Sequence, residues 1–196
     1  MKIFNSVIVP KNYKNSALAI GNFDGVHKGH QKVFRQAKKF AKINNIKFGV
    51  LTFTPLPVMF FNTSISNYKL VSESQKFQLF KKYGVDFVIN IKFNKIFSKI
   101  NAENFIKNII YKKIRPKLIF VSNNFKFGNE RKGNVALLKK FCKKYSYQLL
   151  KIEPFKYQGK IISSTRIRKC LQNGKIYLAN KMLSRTWFVD GVVDEG

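Results

Sequence analysis

The architecture of the chain follows from one turn, Gly21-Asn22-Phe23-Asp24-Gly25-Val26-His27-Lys28-Gly29-His30. The apolar residues 17–20 before this turn read as a buried strand. After it, apolar residues recur at helical spacing, at Val33, Phe34, Ala37, Phe40 and Ala41. A strand, a glycine-rich turn and a helix start together favour phosphate binding, because free backbone amides and the positive end of the helix dipole point at the same anion.

Strand-like and helix-like segments alternate along the rest of the chain. Strands are predicted at residues 46–53, 86–91, 118–121 and 148–152, and helices at 72–83, from 101, over 135–145, and from 164 and 176. A short hairpin is expected around Gly159, and residues 187–193 read as a last strand. This alternation predicts an α/β fold, a Rossmann-like parallel sheet with helices on both faces. Because ligands of such sheets bind beyond the carboxyl ends of the strands, Gly21, Thr54 and Ser122 should meet at one cleft.

The composition is strongly basic, with 38 Lys and Arg against 9 Asp and Glu and a formal net charge of +29. This charge fits either a binder of nucleic acid or acidic lipid, or a lysine-rich coding bias with solvated helix faces. The lysines are dispersed along the chain, which favours the bias, so nucleic acid is not expected as the main partner. No apolar run is long enough to span a bilayer, no secretory signal is evident, and two cysteines make no disulfide framework. We therefore expect a cytoplasmic protein with no membrane partner.

Both histidines of the chain, His27 and His30, lie in this one turn. They can be read as surface residues, as part of a zinc site that lacks a third ligand, or as phosphate-binding residues. The glycines and the strand-to-helix context favour phosphate binding. Two imidazoles at a helix start can donate hydrogen bonds to a phosphate as negative charge develops during reaction. Scarce carboxylates give little support to a catalytic acid pair or to a two-metal site.

The turn, extended by Gln31, resembles the HxGH nucleotidyltransferase signature in the form typical of bacterial FAD synthetases. Those enzymes join an FMN adenylyltransferase module to a riboflavin kinase module. The run Ser163-Ser164-Thr165-Arg166-Ile167-Arg168 resembles the SSTxIR element of the same family, which binds the triphosphate of ATP. By this resemblance the catalytic residues are His27, His30 and Arg166. It implies that ATP is bound by Gly21, Asn22, Phe23, Asp24, Gly25, His27, His30, Ser164, Thr165 and Arg166.

Two further segments resemble elements near the flavin substrate of that family. Residues 123–133 are similar to the G-x-D/N-F-x-F-G-x-x-R-x-G element, although Ser122 stands where glycine is usual. Residues 52–57 are similar to the TFxPHP segment, with Leu56 in place of the usual histidine, which puts a hydrogen bond to the flavin in doubt. The implied flavin-binding residues are Thr54, Pro55, Pro57 and Asn124.

The resemblance implies transfer of AMP from ATP to FMN, giving FAD and pyrophosphate, with Mg²⁺ accompanying ATP. It assigns residues 1–185 to an FMN adenylyltransferase domain and 186–196 to the start of a truncated or absent riboflavin kinase domain. Riboflavin kinase activity is accordingly not expected from this chain alone. Two alternatives stay open: an adenylyl- or cytidylyltransferase with another phosphate acceptor, and a basic nucleic-acid-binding module. The sequence indicates neither an oligomeric state nor the ligands of the metal.

Overall fold

A computed structural model describes residues 1–65 and 68–191 of the chain. Ten strands occur in these residues: β1 (Lys2–Phe4), β2 (Ala17–Ile20), β3 (Phe48–Thr54), β4 (Phe87–Lys92), β5 (Leu118–Ser122), β6 (Lys126–Phe127), β7 (Gly133–Asn134), β8 (Gln148–Ile152), β9 (Lys156–Tyr157) and β10 (Lys160–Ile161). Six of them form one parallel sheet in the order β1-β4-β3-β2-β5-β8. The α/β prediction is therefore confirmed.

Helices connect the strands of this sheet. They are α1 (Lys28–Ile43), α2 (Pro57–Phe61), α3 (Glu73–Lys82), α4 (Lys95–Ser98), α5 (Ala102–Asn104), α6 (Val135–Cys142), α7 (Ser164–Gln172) and α8 (Ile176–Leu183), and α5 continues as a π-helix over Phe105–Ile114. Ser72 caps α3 by accepting a hydrogen bond from the Gln75 amide, as predicted, and Asn101 caps α5 in the same way. None of the helices among the described residues is long and apolar enough to cross a membrane.

The order of the strands places a switch in chain direction at β2. From β2 the chain moves outward through β3 and β4, and later returns to the other side of β2 as β5 and then β8. The loops after β2 and β5 therefore leave the same edge of the sheet in opposite directions, which opens a crevice between them. The turn that carries His27 follows β2.

The sheet is buried on both faces, because alternate residues of a strand point to opposite sides. Leu18 and Ile20 of β2 belong to the cluster that contains the π-helix, whereas Ala17 and Ala19 belong to the cluster that contains α1. The small alanine side chains let α1 lie close to β2. A third cluster, formed by α7, α8 and Leu70, packs beside the turn.

Three segments differ from the sequence-based expectations. The short edge strand β1 was not predicted, because three residues carry no readable periodicity. Helix α2 begins at Pro57, where regular structure was expected to stop; proline is tolerated there since the first helical residue needs no amide donor. Residues 187–191 of the last predicted strand are irregular, and Val192 and Val193 lie outside the described residues.

Candidate active site

A cavity of about 1150 Å³ opens at the carboxyl end of the sheet. It brings together the turn after β2, the loop after β5 and the start of α7. Gly21 and Ser122 therefore meet at one cleft as predicted, whereas Thr54 does not line it. Of the predicted site residues, those that line it are Gly21, Asn22, Phe23, Asp24, His27, His30, Pro57, Asn124, Ser164 and Thr165. Gly25, Thr54, Pro55 and Arg166 are not among the described residues that line this cavity.

The turn itself has a strained backbone. Phe23, Gly25 and Val26 have φ angles of 49°, 79° and 40°, in the left-handed region that favours glycine. Only glycine fits at position 25, because an added Cβ would lie 2.7 Å from the Leu70 Cδ1. For a phenylalanine and a valine such angles cost about 1–3 kcal/mol each, and strain of this kind is concentrated at ligand-binding sites.

The two imidazoles stack on each other at the start of α1. Their ring centroids are 3.6 Å apart and their planes differ by 20°. His27 is the N-cap of α1, and His30 also meets the ring of Phe23 edge-on at 5.2 Å. The Nδ1 atoms of both histidines are buried and have no hydrogen-bond partner among the described residues. Buried polar atoms normally have partners, so these two nitrogens are exceptions to the usual pattern of hydrogen bonding.

Both imidazoles are neutral at pH 7. Burial lowers the pKa of His27 to about 4, and the nearby positive charges of Arg185 and Arg168 act in the same direction. Burial also lowers the pKa of His30 well below its usual value, assisted by His27. A neutral imidazole has one N–H donor and one acceptor nitrogen, so each ring can still donate a hydrogen bond to an anion.

The start of α7 is hydrogen-bonded directly to the turn. The Ser164 hydroxyl donates to the Asp24 carbonyl oxygen at 2.9 Å, across 140 positions of sequence. Ser163 caps α7 by accepting from the Arg166 amide at 3.2 Å, and Thr165 is exposed at the wall of the cavity. The two predicted phosphate-binding segments therefore border the same cavity.

Asp24 forms a buried ion pair with Arg168, in which the two side chains are 6% and 14% exposed. The Asp24 carboxylate also accepts a hydrogen bond from the Leu70 amide at 3.0 Å. Burial raises the pKa of Asp24, while the charge of Arg168 opposes that shift. Arg168 in turn donates to the Tyr68 carbonyl oxygen and stacks 3.6 Å above the Tyr68 ring. Asp24 thus anchors the turn to α7 rather than presenting a free carboxylate.

Arg166 lies apart from the cavity lining. Its Nη1 donates to the carbonyl oxygens of Tyr157 and Lys160, at 3.0 and 2.8 Å, so it braces the hairpin formed by β9 and β10. Sequence reasoning missed Arg168, which does line the cavity. The signal was available in the helical spacing, because residues four apart share a helix face and Arg168 follows Ser164 by four positions.

The other end of the cavity is aromatic. Its wall contains Phe53, Phe61, Phe93, Phe97, Phe105, Phe125 and Phe127. Asn124 lies beside this wall and accepts a hydrogen bond from the Ser122 hydroxyl at 2.9 Å. Thr54 and Pro55 instead border a separate recess of about 10 Å³, the size of one water, and Leu56 borders both spaces. The Thr54 hydroxyl lies 2.6 Å from the Glu73 carboxylate, which directs it away from the large cavity.

Carboxylates at the cavity are already engaged by other side chains. Asp24 pairs with Arg168, Glu130 with Lys132, and Glu153 accepts from the Asn123 amide. Within residues 1–65 and 68–191, no three His, Cys, Asp or Glu side chains are grouped closely enough to hold a metal ion. Any divalent ion at the cavity would need most of its ligands from a bound substrate and from water.

The sheet order, the glycine turn and the neutral imidazoles at a helix start define an α/β domain with a crevice suited to an anionic ligand. Residues 9–166 match the family described as FAD synthetase, so the chain belongs to that family. It is 43% identical over 183 residues to a bifunctional riboflavin kinase/FMN adenylyltransferase of Buchnera aphidicola from Schizaphis graminum, covering 93% of this chain and 59% of the relative.

Further comparisons support the same family. The Escherichia coli K12 protein described as a bifunctional riboflavin kinase/FMN adenylyltransferase is 32% identical, covering 91% of this chain and 57% of the relative. The Listeria monocytogenes protein described as an FAD synthetase is 28% identical over 198 residues, covering the whole of this chain and 80% of that protein. The chain thus spans less than two thirds of the length of the bifunctional relatives.

A solved structure from Streptococcus pneumoniae, described as a macrolide-efflux protein, shares the fold. Its TM-score is 0.80 at 24% sequence identity, and the match covers 93% of this chain and 59% of that one. At this identity the likeness supports the architecture alone.

Proposed function

We propose that this chain transfers the AMP moiety of ATP to the phosphate of FMN, releasing pyrophosphate and forming FAD. The observation that carries the proposal is the Ser164–Asp24 hydrogen bond, which joins both phosphate-binding segments at the large cavity. Membership of the FAD synthetase family supports the choice of substrates. Residues 1–185 form the proposed adenylyltransferase domain.

The reaction needs positioning and charge stabilisation more than acid–base chemistry. An oxygen of the FMN phosphate is already anionic at neutral pH, so it can attack the α-phosphorus without a general base. As the new bond to the α-phosphorus forms, the bond from that phosphorus to the oxygen bridging to the β-phosphate breaks, and pyrophosphate leaves with the electron pair. A cavity that holds the two phosphates in line removes much of the entropic barrier.

His27 and His30 are assigned to the α-phosphate. Both are neutral, and their unpartnered Nδ1 atoms lie at the start of α1, where the helix dipole favours an anion. Each ring can donate one hydrogen bond, to a non-bridging oxygen or to the bridging oxygen as it gains charge. A donor aimed at developing charge in a site sheltered from water contributes about 3 kcal/mol to the barrier reduction.

The leaving pyrophosphate is assigned to the start of α7. Thr165 offers an exposed hydroxyl there, and Ser164 fixes the helix against the turn. Arg168 adds positive charge at the cavity wall. The resemblance implies a direct contact between Arg166 and the pyrophosphate. For that contact the guanidinium must break its hydrogen bonds to the carbonyl oxygens of the hairpin and form others to phosphate oxygens. In the structure as it stands, Arg166 shapes the border of the site.

Mg²⁺ is proposed to enter as the MgATP substrate complex. The carboxylates at the cavity are paired, and Mg²⁺ prefers to keep several waters beside phosphate oxygens. Its charge would offset that of the β- and γ-phosphates, while the chain supplies the groups that orient the α-phosphate.

The aromatic wall is the proposed flavin end. Flat apolar rings pack favourably against phenylalanine side chains, and Asn124 supplies a polar group beside them. Pro57 and Asn124 lie where they can contact the flavin, whereas Thr54 and Pro55 act through the shape of the chain before α2. Leu56 is 5% exposed and offers no hydrogen bond.

The test is an adenylylation assay with separated flavin products. The purified chain, ATP and Mg²⁺ are incubated with FMN, or with riboflavin, which lacks the phosphate nucleophile and serves as the matched control. FAD is expected from FMN only. FAD formation no faster than without enzyme, together with transfer of AMP or CMP in parallel reactions that contain ATP or CTP and another phosphate acceptor, would replace the proposal by the alternative transferase. Tight nucleic-acid binding with a steep salt dependence and no transfer would support the basic binding module.

A further inference from the structure

The last residue of α8 and the segment after it, residues 183–187, pack against the turn that carries the histidines. The Gln31 side-chain amide donates to the carbonyl oxygens of Val26 and Leu183, at 2.9 and 3.0 Å. The Ser184 hydroxyl donates to the Gln31 Oε1 at 2.9 Å. Gln31 is buried, so these bonds fix the turn and the segment relative to each other.

Arg185 makes the most direct contact from this segment to the turn. Its Nη2 donates to the Gly25 carbonyl oxygen at 2.8 Å. Gly25 has a φ of 79°, and the next residue, Val26, is a strained β-branched residue. A charged donor on this carbonyl therefore stabilises the peptide that leads to His27.

The charge of Arg185 is not balanced by a carboxylate in residues 1–65 and 68–191, where the ion pairs are Lys132–Glu130 and Arg168–Asp24. Burial lowers the pKa of the Arg185 guanidinium, as expected for a cation partly removed from water. A positive charge left without a counter-ion beside a helix start favours the binding of an anion there.

We propose that Arg185 is a positioning residue of the nucleotide site, which holds the Gly25 carbonyl and adds behind the turn a positive charge that has no carboxylate partner among residues 1–65 and 68–191. This proposal rests on the proposed use of MgATP. It extends the site to a residue about 160 positions beyond Gly25 in sequence. The residue acts through the turn and need not touch the substrate.

The pKa of His27 can distinguish this role of Arg185 from a purely structural one, because His27 responds to the charged groups that face it. They are Arg185 and Arg168, whereas the neighbouring imidazole of His30 is neutral. Arg168 is paired with Asp24, so its field is partly cancelled at His27. Removing the charge of Arg185 should therefore make protonation of His27 easier. Exposure of His27 to water would also raise its pKa, so Arg185→Lys, which keeps the charge, separates the two causes.

The experiment compares Arg185→Gln and Arg185→Lys with wild type in the full chain, with Arg35→Gln, an exposed residue of α1, as the matched control. Imidazole NMR measures the pKa of His27, which is simple because the chain has 2 histidines. Calorimetry measures MgATP binding. We expect Arg185→Gln to raise the His27 pKa and to weaken MgATP binding about tenfold or more. Arg185→Lys should keep the His27 pKa low, and Arg35→Gln should change neither quantity.

An unchanged His27 pKa and unchanged MgATP affinity in a folded Arg185→Gln protein would overturn the proposal. If that variant does not fold, Arg185→Lys decides, because a His27 pKa raised to an ordinary value despite the retained charge would equally overturn it. Failure of the proposed function is a separate outcome, recognised when wild type forms no FAD from FMN.

Discussion

Acidification should destabilise the protein through its histidines. Folding lowers the pKa of His27 from 6.5 to about 4, so between these values the unfolded chain binds more protons than the native protein. The unfolding free energy is therefore not reduced by His27 above about pH 7, and it decreases as the pH falls through this window. One pKa unit corresponds to about 1.4 kcal/mol, so His27 alone costs about 2 kcal/mol by pH 5 and about 3 kcal/mol below pH 4.

The assay is urea unfolding at pH 7, 6 and 5, followed by the fluorescence of Trp187, the single tryptophan. Its ring N–H donates to the Leu70 carbonyl oxygen at 2.8 Å, so its environment reports the packing next to the turn. The matched control is His27→Gln, which removes the titrating group and keeps a polar side chain. Its stability should fall by about 2 kcal/mol less than that of wild type between pH 7 and pH 5.

Asp24 also contributes to the dependence of stability on pH. The raised pKa of Asp24 acts in the opposite sense, because there the native state holds the proton more tightly. Asp24 is present in both proteins, so its contribution cancels in the comparison. His30 stacks on His27 and its pKa is lowered partly by it, so the difference between wild type and variant reports His27 together with its effect on His30. Equal losses of stability in the two proteins, or an imidazole that titrates near pH 6.5 in the native state, would refute the reasoning.

Three further predictions concern the turn and α7. His30→Ala should lower the rate of FAD formation by about 10²–10³-fold with an unchanged circular dichroism spectrum, because a donor to the reacting phosphate is lost; an unchanged rate would contradict its assigned role. Gly25→Ala should lower the free energy of unfolding by about 2–4 kcal/mol, because its Cβ would lie 2.7 Å from a leucine methyl at a positive φ. Gly174→Ala, also at positive φ but with nothing within 4 Å, is its control in thermal melts and should cost about 1–2 kcal/mol. Arg168→Ala should cost about 3–5 kcal/mol in urea unfolding, because it leaves Asp24 buried and unpaired, and a change below about 1 kcal/mol would show that the pair is solvated.

Much of the fold was readable from the sequence because its strands are buried and its helices are capped. Continuous apolar runs predicted β2 and β5. Ser72 and Asn101 predicted the starts of the helices that they cap. The predicted strand at 46–53 began two residues early, because Ile46 still hydrogen-bonds the end of α1 through the Ala41 carbonyl. Local patterns determine which elements form, whereas packing between elements determines where each one begins.

The candidate site was predictable at the level of segments and less so at the level of side chains. The convergence of the turn and α7 was implied by the family resemblance of the two segments, whereas the rule that ligands bind at the carboxyl ends of parallel strands predicted the meeting of Gly21 and Ser122. The pattern of residues could not show whether Arg166 or Arg168 faces the turn, because that depends on which face of α7 meets the turn. The ion pair of Asp24 with Arg168 could not be predicted from the sequence either, since the two residues are 144 positions apart.

The hydrogen bond from Ser164 to the Asp24 carbonyl has a consequence for biosynthesis. Since 140 positions separate the two residues, the ribosome has made most of the described chain before α7 can dock on the turn. Until then the sheet can form, but one wall of the large cavity is missing. If the cavity binds ATP as proposed, a nascent polypeptide should acquire that affinity late and abruptly, when the segment that contains α7 leaves the exit tunnel.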